Sequence, residues 1–204
     1  LDGATVGGLV GAAGNSGVWN YKNTFSGVSF NGAARKGAGV KNADGASSGT
    51  GGSAWDFALT GDGDMAGLDG VAWGVGYGEE RSPLNGTAGD AEHMTVFANY
   101  STGPVTIGVQ LSDIDNGGTT TDEEVIAAGV AFNVNENLSI SYGIRETEFV
   151  KNAATDVTEE GDGIAVAYTM GSIKIAGNAN KVSDNGGTAN SEDSMTEIAV
   201  SFAF

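Results

Sequence analysis

Four of the nine basic residues in this 204-residue chain stand at alternate positions among small polar neighbours. Lys22 alternates with Asn20 and Thr24, Arg35 with Asn31 and Ala33, Arg145 with Ser141 and Gly143, and Lys174 with Asn178. Asp56 and Glu197 have the same parity in their own stretches. At period two, such residues share one face of a sheet. A face carrying fixed charges of both signs can order water and sort ions by Coulomb forces.

Other chemistries fail on their residues. His93, in "DAEHM", is the only histidine, and no nucleophile and base stand with it, so it reads as a solvated loop histidine. Cysteine is absent, which removes disulfides and thiolate zinc sites. "GVGYGEE" runs into an acidic loop instead of a helix, so its glycines are not a dinucleotide fingerprint. Asp62, Asp64 and Asp69 in "GDGDMAGLDG" lack the bidentate Glu of a calcium loop, and a plain turn is the better reading. Asp113, Asp115 and Asp122 form a denser acidic cluster that could take Ca2+ or Mg2+ as a bridge to anionic lipid or to a neighbouring loop. No other cofactor and no enzymatic activity is expected.

Elements with period two must position these charges. Eleven alternating stretches are expected, near 18–26, 27–36, 53–61, 69–79, 94–102, 104–112, 124–134, 137–146, 162–170, 172–182 and 195–204. "LSISYGIR" sets Leu138, Ile140, Tyr142 and Ile144 against Ser139, Ser141, Gly143 and Arg145. "VTIGVQLS" and "VAWGVGYG" repeat the scheme. Short links such as "FSGV", "STGPV", "NVNEN" and "TMGS" carry Gly, Pro or Asn, as tight turns do. They alternate with long links at 37–52, 80–93, 113–123, 147–161 and 183–194. The order strand, short link, strand, long link is that of an up-and-down antiparallel meander.

The formal net charge of -17 excludes a nucleic-acid partner, which needs a basic stripe. No run approaches the ~20 apolar residues of a membrane helix. An all-β meander can be a soluble sheet with its apolar face inside, or a transmembrane barrel with that face outside. The polar faces here hold mainly Gly, Ala, Ser and Thr, while the charges gather in the long links. A soluble outer surface carries dense charge instead. The pattern therefore predicts a transmembrane β-barrel. Trp19, Tyr21, Trp55, Tyr77, Tyr100, Tyr142, Tyr168 and Phe204 then read as aromatic girdles at the membrane interfaces.

The last ten residues, "MTEIAVSFAF", alternate large apolar with small or polar groups and end on phenylalanine. This end resembles the C-terminal strand of bacterial outer-membrane barrels. The whole chain resembles the C-terminal two-thirds of a sixteen-stranded, trimeric general-diffusion porin of the alphaproteobacterial type. The resemblance implies that Phe204 belongs to the signal read by the barrel-assembly machinery and helps close the barrel. It implies a homotrimer amid outer-membrane lipid and lipopolysaccharide. Long loops would be extracellular, with short turns and the C-terminus periplasmic. Eleven strands here and five more would make sixteen. Residues 1–17 would then be the tail of a constriction loop folded into the lumen, with Asp2 among its acids, and 18–204 the last eleven strands. Lys22, Arg35, Arg145 and Lys174, with Asp56 and Glu197, would line the pore.

The function implied is passive diffusion of small hydrophilic solutes and ions. A substrate-selective channel and a soluble or secreted adhesive β-protein are the alternatives. In the barrel reading Ile140, Tyr142, Val166, Tyr168, Val200 and Phe202 face outward, and Ser141, Ala167 and Ser201 face the lumen. The acidic loops should favour cations at the outer mouth, with Lys22, Arg35 and Arg145 opposing them inside.

Overall fold

The alternation of apolar with small polar residues gives extended backbone throughout the computed structural model, which describes residues 18–35, 53–64, 67–81, 90–117 and 121–203. The strands are β1 (Val18–Phe25), β2 (Val28–Arg35), β3 (Ala54–Asp62), β4 (Val71–Glu80), β5 (Ala91–Thr102) and β6 (Val105–Asp115). After them come β7 (Asp122–Asn133), β8 (Leu138–Val150), β9 (Val157–Met170), β10 (Ile173–Ser183) and β11 (Glu192–Phe202). They form one eleven-stranded sheet in sequence order. Every neighbouring pair is antiparallel. Residues 1–17, including Asp2, and Phe204 lie outside the described residues.

Tight turns fix the register at one end. Ser26 and Gly27 both have positive φ, 48° and 85°, between β1 and β2, as a two-residue primed turn requires. Between β9 and β10, Gly171 takes φ 60°. The "GDGDMAGLDG" segment is a turn closed by Gly63 N–H to Val71 O at 2.8 Å and Leu68 N–H to Gly63 O at 2.9 Å.

Register then sorts the side chains without exception along the rows. One face aligns Tyr100, Ile107, Val130, Tyr142, Ile164 and Ala179 across successive strands. The other aligns Asn99, Gly108, Gly129, Gly143, Gly163 and Asn180. The large apolar residues are the exposed ones, with Ile198 at 78 % and Val200, Phe202, Tyr142, Val166 and Tyr168 also open. The small residues opposite are more covered. In a single curved sheet the concave side is the crowded one, so the small polar face is concave and the apolar face convex.

Among the described residues no second layer buries that convex face. Among the described residues only Ala33, Ala54, Ile114 and Val125 are buried apolar side chains. A soluble sandwich of this size would bury its large aliphatic and aromatic groups between two sheets. This arrangement leaves them unpartnered, as the barrel reading requires.

The strands run further than expected at the end with the longer connections. The link expected over 147–161 shrinks to 151–156, because β8 continues to Val150 and β9 starts at Val157. Likewise β5 starts at Ala91, β6 continues to Asp115, β7 starts at Asp122 and β11 starts at Glu192. Apolar alternation marks only the part of a strand that meets lipid. Above that belt the convex residues become acids: Asp113, Glu124 and Glu148 stand in one row, Glu146 beside Glu160 in the next. Strands of 11 to 14 residues from β5 to β11 reach or exceed the ~9–11 needed to span a bilayer. His93 is accordingly a strand residue, in β5.

An arginine on the convex face should therefore be expelled from lipid, and one on the concave face tolerated. Ile164→Arg should cost roughly 2–4 kcal/mol if Ile164 lies near the membrane midplane. Ser141→Arg, one row away on the other face, should cost much less. Denaturant unfolding of the barrel in lipid vesicles reads both.

Candidate functional site

The candidate site is the concave wall. Its groundwork is hydroxyl and amide groups that satisfy one another across strands. Thr24 bonds Ser29 at 2.8 Å, Thr95 bonds Ser112 at 2.9 Å, and Ser101 bonds Thr106 at 2.9 Å. The Asn20 amide donates to Asn31 at 3.0 Å. The Asn180 amide donates to Asn178 at 3.0 Å, and that of Asn178 to Glu197 at 3.5 Å. These bonds run along the wall and hold polar groups flat against it.

Glycines let other side chains lie flat too. The Phe97 ring occupies the space a Cβ on Gly74 would need, and the Asn180 amide does the same over Gly163. Phe97, a large aromatic group of this wall, thus covers backbone. From Asn99 to Glu197 the wall encloses a concavity of about 840 Å3, floored by Gly108, Gly129, Gly143 and Gly163.

The register places Lys22, Arg35, Asp56, Arg145, Lys174 and Glu197 all on this concave face. Lys22 stands opposite Asn31, and Asp56 between Ala33 and Gly78. Lys174 stands opposite Ser201 and Glu197 opposite Asn178. The structure does not gather them into one cluster. It brings the two arginines to acids that the sequence pattern had not singled out. Arg35 forms an ion pair with Glu80, and Arg145 with Glu159. Their carboxylates are largely shielded, Glu159 being only 4 % exposed. Glu159 was hidden because it falls in the stretch whose alternating acids read as a loop. Glu80 stood at the start of the long link expected over 80–93, where a charge reads as solvated.

The remaining fixed charges on the concave face are unequal. Among the described residues, Lys22 and Lys174 make no ion pair. Asp56, Asp62, Glu123, Asp193 and Glu197 share their face by register. None of these five acids is in an ion pair either. The wall is therefore more acidic than a tally of basic residues suggests.

The acidic cluster lies elsewhere. Asp113 and Asp115 are on the convex side of β6, in line with Leu111, and Asp122 begins β7. The Asp115 carboxylate accepts the Gly117 N–H at 2.7 Å, and Asp122 accepts the Asn116 N–H at 2.9 Å. Both thus shape the loop. Among the described residues no group of three or more His, Asp or Glu side chains converges as metal ligands would. Of the aromatic groups expected at interfaces, Trp19, Tyr21, Trp55, Tyr77, Tyr100, Tyr142 and Tyr168 share the convex face. Trp55 stacks near Phe57 at 6.2 Å between centroids and near Tyr77 at 5.3 Å, and the Tyr77 hydroxyl donates to Glu92 at 2.9 Å.

Comparison with known proteins agrees with this architecture. No curated protein matches the sequence. Among solved structures, the anion-selective porin from Comamonas acidovorans matches with a TM-score of 0.71 and 13 % identity, over 92 % of this chain and 59 % of that one. OmpT of Vibrio cholerae in its trimer form matches at 0.65 and 12 % identity, over 96 % and 67 %. OmpF of Salmonella typhi, in complex with daunomycin, matches at 0.66 and 13 % identity, over 91 % and 61 %. This chain thus spans about three-fifths of the length of these structures. The family model described as Gram-negative porin matches residues 1–204, and the chain belongs to that family.

Proposed function

We propose that this chain supplies eleven strands of an outer-membrane barrel, sixteen-stranded when closed, that forms a water-filled pore. Small hydrophilic solutes and ions would cross it by passive diffusion. The carrying observation is the division of faces, with large apolar groups unpartnered on the convex side and polar or small groups on the concave side. In lipid an open sheet edge leaves backbone donors and acceptors unsatisfied, so only closure makes the sheet viable. Pairing of β1 and β11 with further strands answers that demand, and Phe204 would sit at that seam.

The proposal extends to orientation, assembly and pore lining. The short turns and C-terminus face the periplasm, and the longer connections face outside, among lipopolysaccharide. Residues 1–17, with Asp2, belong to a loop that narrows the lumen. A homotrimer is the assembly proposed, and the trimer form of OmpT supports it. Phe204 is part of the signal read by the barrel-assembly machinery. Lys22, Arg35, Asp56, Arg145, Lys174 and Glu197 line the pore. A divalent cation at Asp113, Asp115 or Asp122 would have to compete with the loop amides that Asp115 and Asp122 already serve.

The pairing of both arginines changes the expected ion preference. Arg35 and Arg145 do not oppose cations as free charges, because Glu80 and Glu159 cancel them. Unpaired wall acids then outweigh Lys22 and Lys174, and the acidic loops add to the same sign. The wall field decays over ~10 Å at ~0.1 M salt, so preference should fade as salt rises.

Single-channel recording in a planar bilayer tests this. The purified protein should give stepwise, ohmic currents, with a reversal potential in a dilute salt gradient that marks cation preference. Lys22→Gln should strengthen that preference and Glu197→Gln should weaken it. A protein that inserts and gives no steps would refute the pore. Strong anion preference in dilute salt would refute the charge assignment.

A further inference from the structure

One connection departs from its neighbours. Residues 184–191 join β10 to β11, yet they dock on β8 and β9, on the concave side. The Gly186 N–H donates to Glu159 Oε2 at 2.8 Å. The Lys151 Nζ donates to the Gly187 carbonyl at 2.6 Å. Gly187 is buried with its Cα against Phe149: a Cβ there would come within 2.7 Å of the ring. Gly187 also has φ 68°, so only glycine fits both the backbone and the contact. The segment is internally braced as well, by Asn185 N–H to Ser191 O at 3.0 Å and Thr188 N–H to Asn185 O at 3.3 Å.

Phe149 and Glu159 are concave-face residues by register, Phe149 opposite Val157 and Thr147 opposite Glu159. A segment resting on them lies inside the outline of the wall, at the end with the longer connections. The carboxylate of Glu159 therefore serves two partners. Oε1 takes the Arg145 guanidinium, and Oε2 takes the amide of the folded-in segment. Neither role depends on the other, since each uses its own oxygen.

We infer that Glu159 is a specificity-determining residue of the pore, which sets its charge by cancelling Arg145 and its width by pinning residues 184–191 across the mouth. The inference rests on the pore reading above. It makes residues 184–191 a fixed inward ledge that Glu159, Lys151 and Phe149 hold together. Arg145 is the wall cation nearest to it, and with its side chain 39 % exposed it would act on passing ions once its partner is neutral.

Charge and width separate in different variants of the full-length protein, each recorded in planar bilayers. Glu159→Gln keeps an oxygen for Gly186 and removes the negative charge. It should lower the cation-to-anion permeability ratio about two- to threefold. That is the effect of one unit charge taken as about 7 Å from the ion path, about half of RT on each ion after screening at ~0.1 M salt and opposite in sign for cation and anion. Gly187→Ala and Lys151→Met change no wall carboxylate and should release the ledge. Both should raise single-channel conductance and speed the entry of larger neutral sugars into liposomes. Lys151→Met sits at the outer end of β8 and serves as the variant that folds if Gly187→Ala does not. Heat-modifiable migration on a gel confirms folding in each case. A parent protein that forms no channels would sink the pore reading itself. A conducting parent whose Glu159→Gln variant has unchanged selectivity overturns the charge role. Unchanged conductance and sugar entry in both ledge variants overturn the width role. Either failure refutes the claim that one residue does both.

Discussion

Everything described of this molecule depends on lateral backbone hydrogen bonding in a sheet that, among the described residues, has no second layer to form a core. Each strand pairs with its neighbours along nearly its whole length, while large apolar groups on the convex face touch no second layer. In water that arrangement would expose Trp19, Ile198 and Phe202 at a cost of roughly 1.5–3 kcal/mol per large side chain. In a bilayer the same exposure is the source of stability, because the groups meet hydrocarbon and the peptide groups between neighbouring strands are already paired. The sheet is stable only in the medium for which its faces are written.

That constraint also explains the wall. A concave face has less room than a convex one, so glycine and alanine dominate its middle rows, and Phe97 and Asn180 fold over glycines to avoid crowding. Charged groups survive there only with solvent or with partners. Arg35, at the end of β2, and Arg145, in the middle of β8, find Glu80 and Glu159. Lys22, on a shorter strand with open surroundings, makes no ion pair among the described residues. Pairing within the wall thus decides how much fixed charge a passing ion meets.

Much of this was legible from period alone. The strand number, the meander order, the two faces and the parity of Lys22, Arg145 and Glu197 all follow from alternation, because side-chain direction in a strand is geometric. Strand ends at the acidic side were not legible. Glu146, Glu148, Glu160 and Asp162 break the apolar rhythm where the strand leaves lipid, although its hydrogen bonds continue. Glu159 was lost with them, and so was its partnership with Arg145, since pairing across β8 and β9 depends on register and not on composition. The inward fold of residues 184–191 was hidden for a further reason. "SDNGGTAN" spells a turn, and nothing in a turn sequence says which neighbouring strands it rests on.

The central claim is that the convex face meets lipid and the concave face meets water. These 204 residues hold no cysteine, so an introduced thiol is unique among them and makes the claim directly measurable. Single cysteines at 139 to 145 in β8, labelled with a polarity-sensitive fluorophore in lipid vesicles, report the medium at each position. The account predicts strict alternation: positions 140, 142 and 144 quenched by a lipid-bound quencher, and 139, 141, 143 and 145 by an aqueous one. Uniform aqueous quenching along the strand, or alternation of the opposite phase, would contradict it.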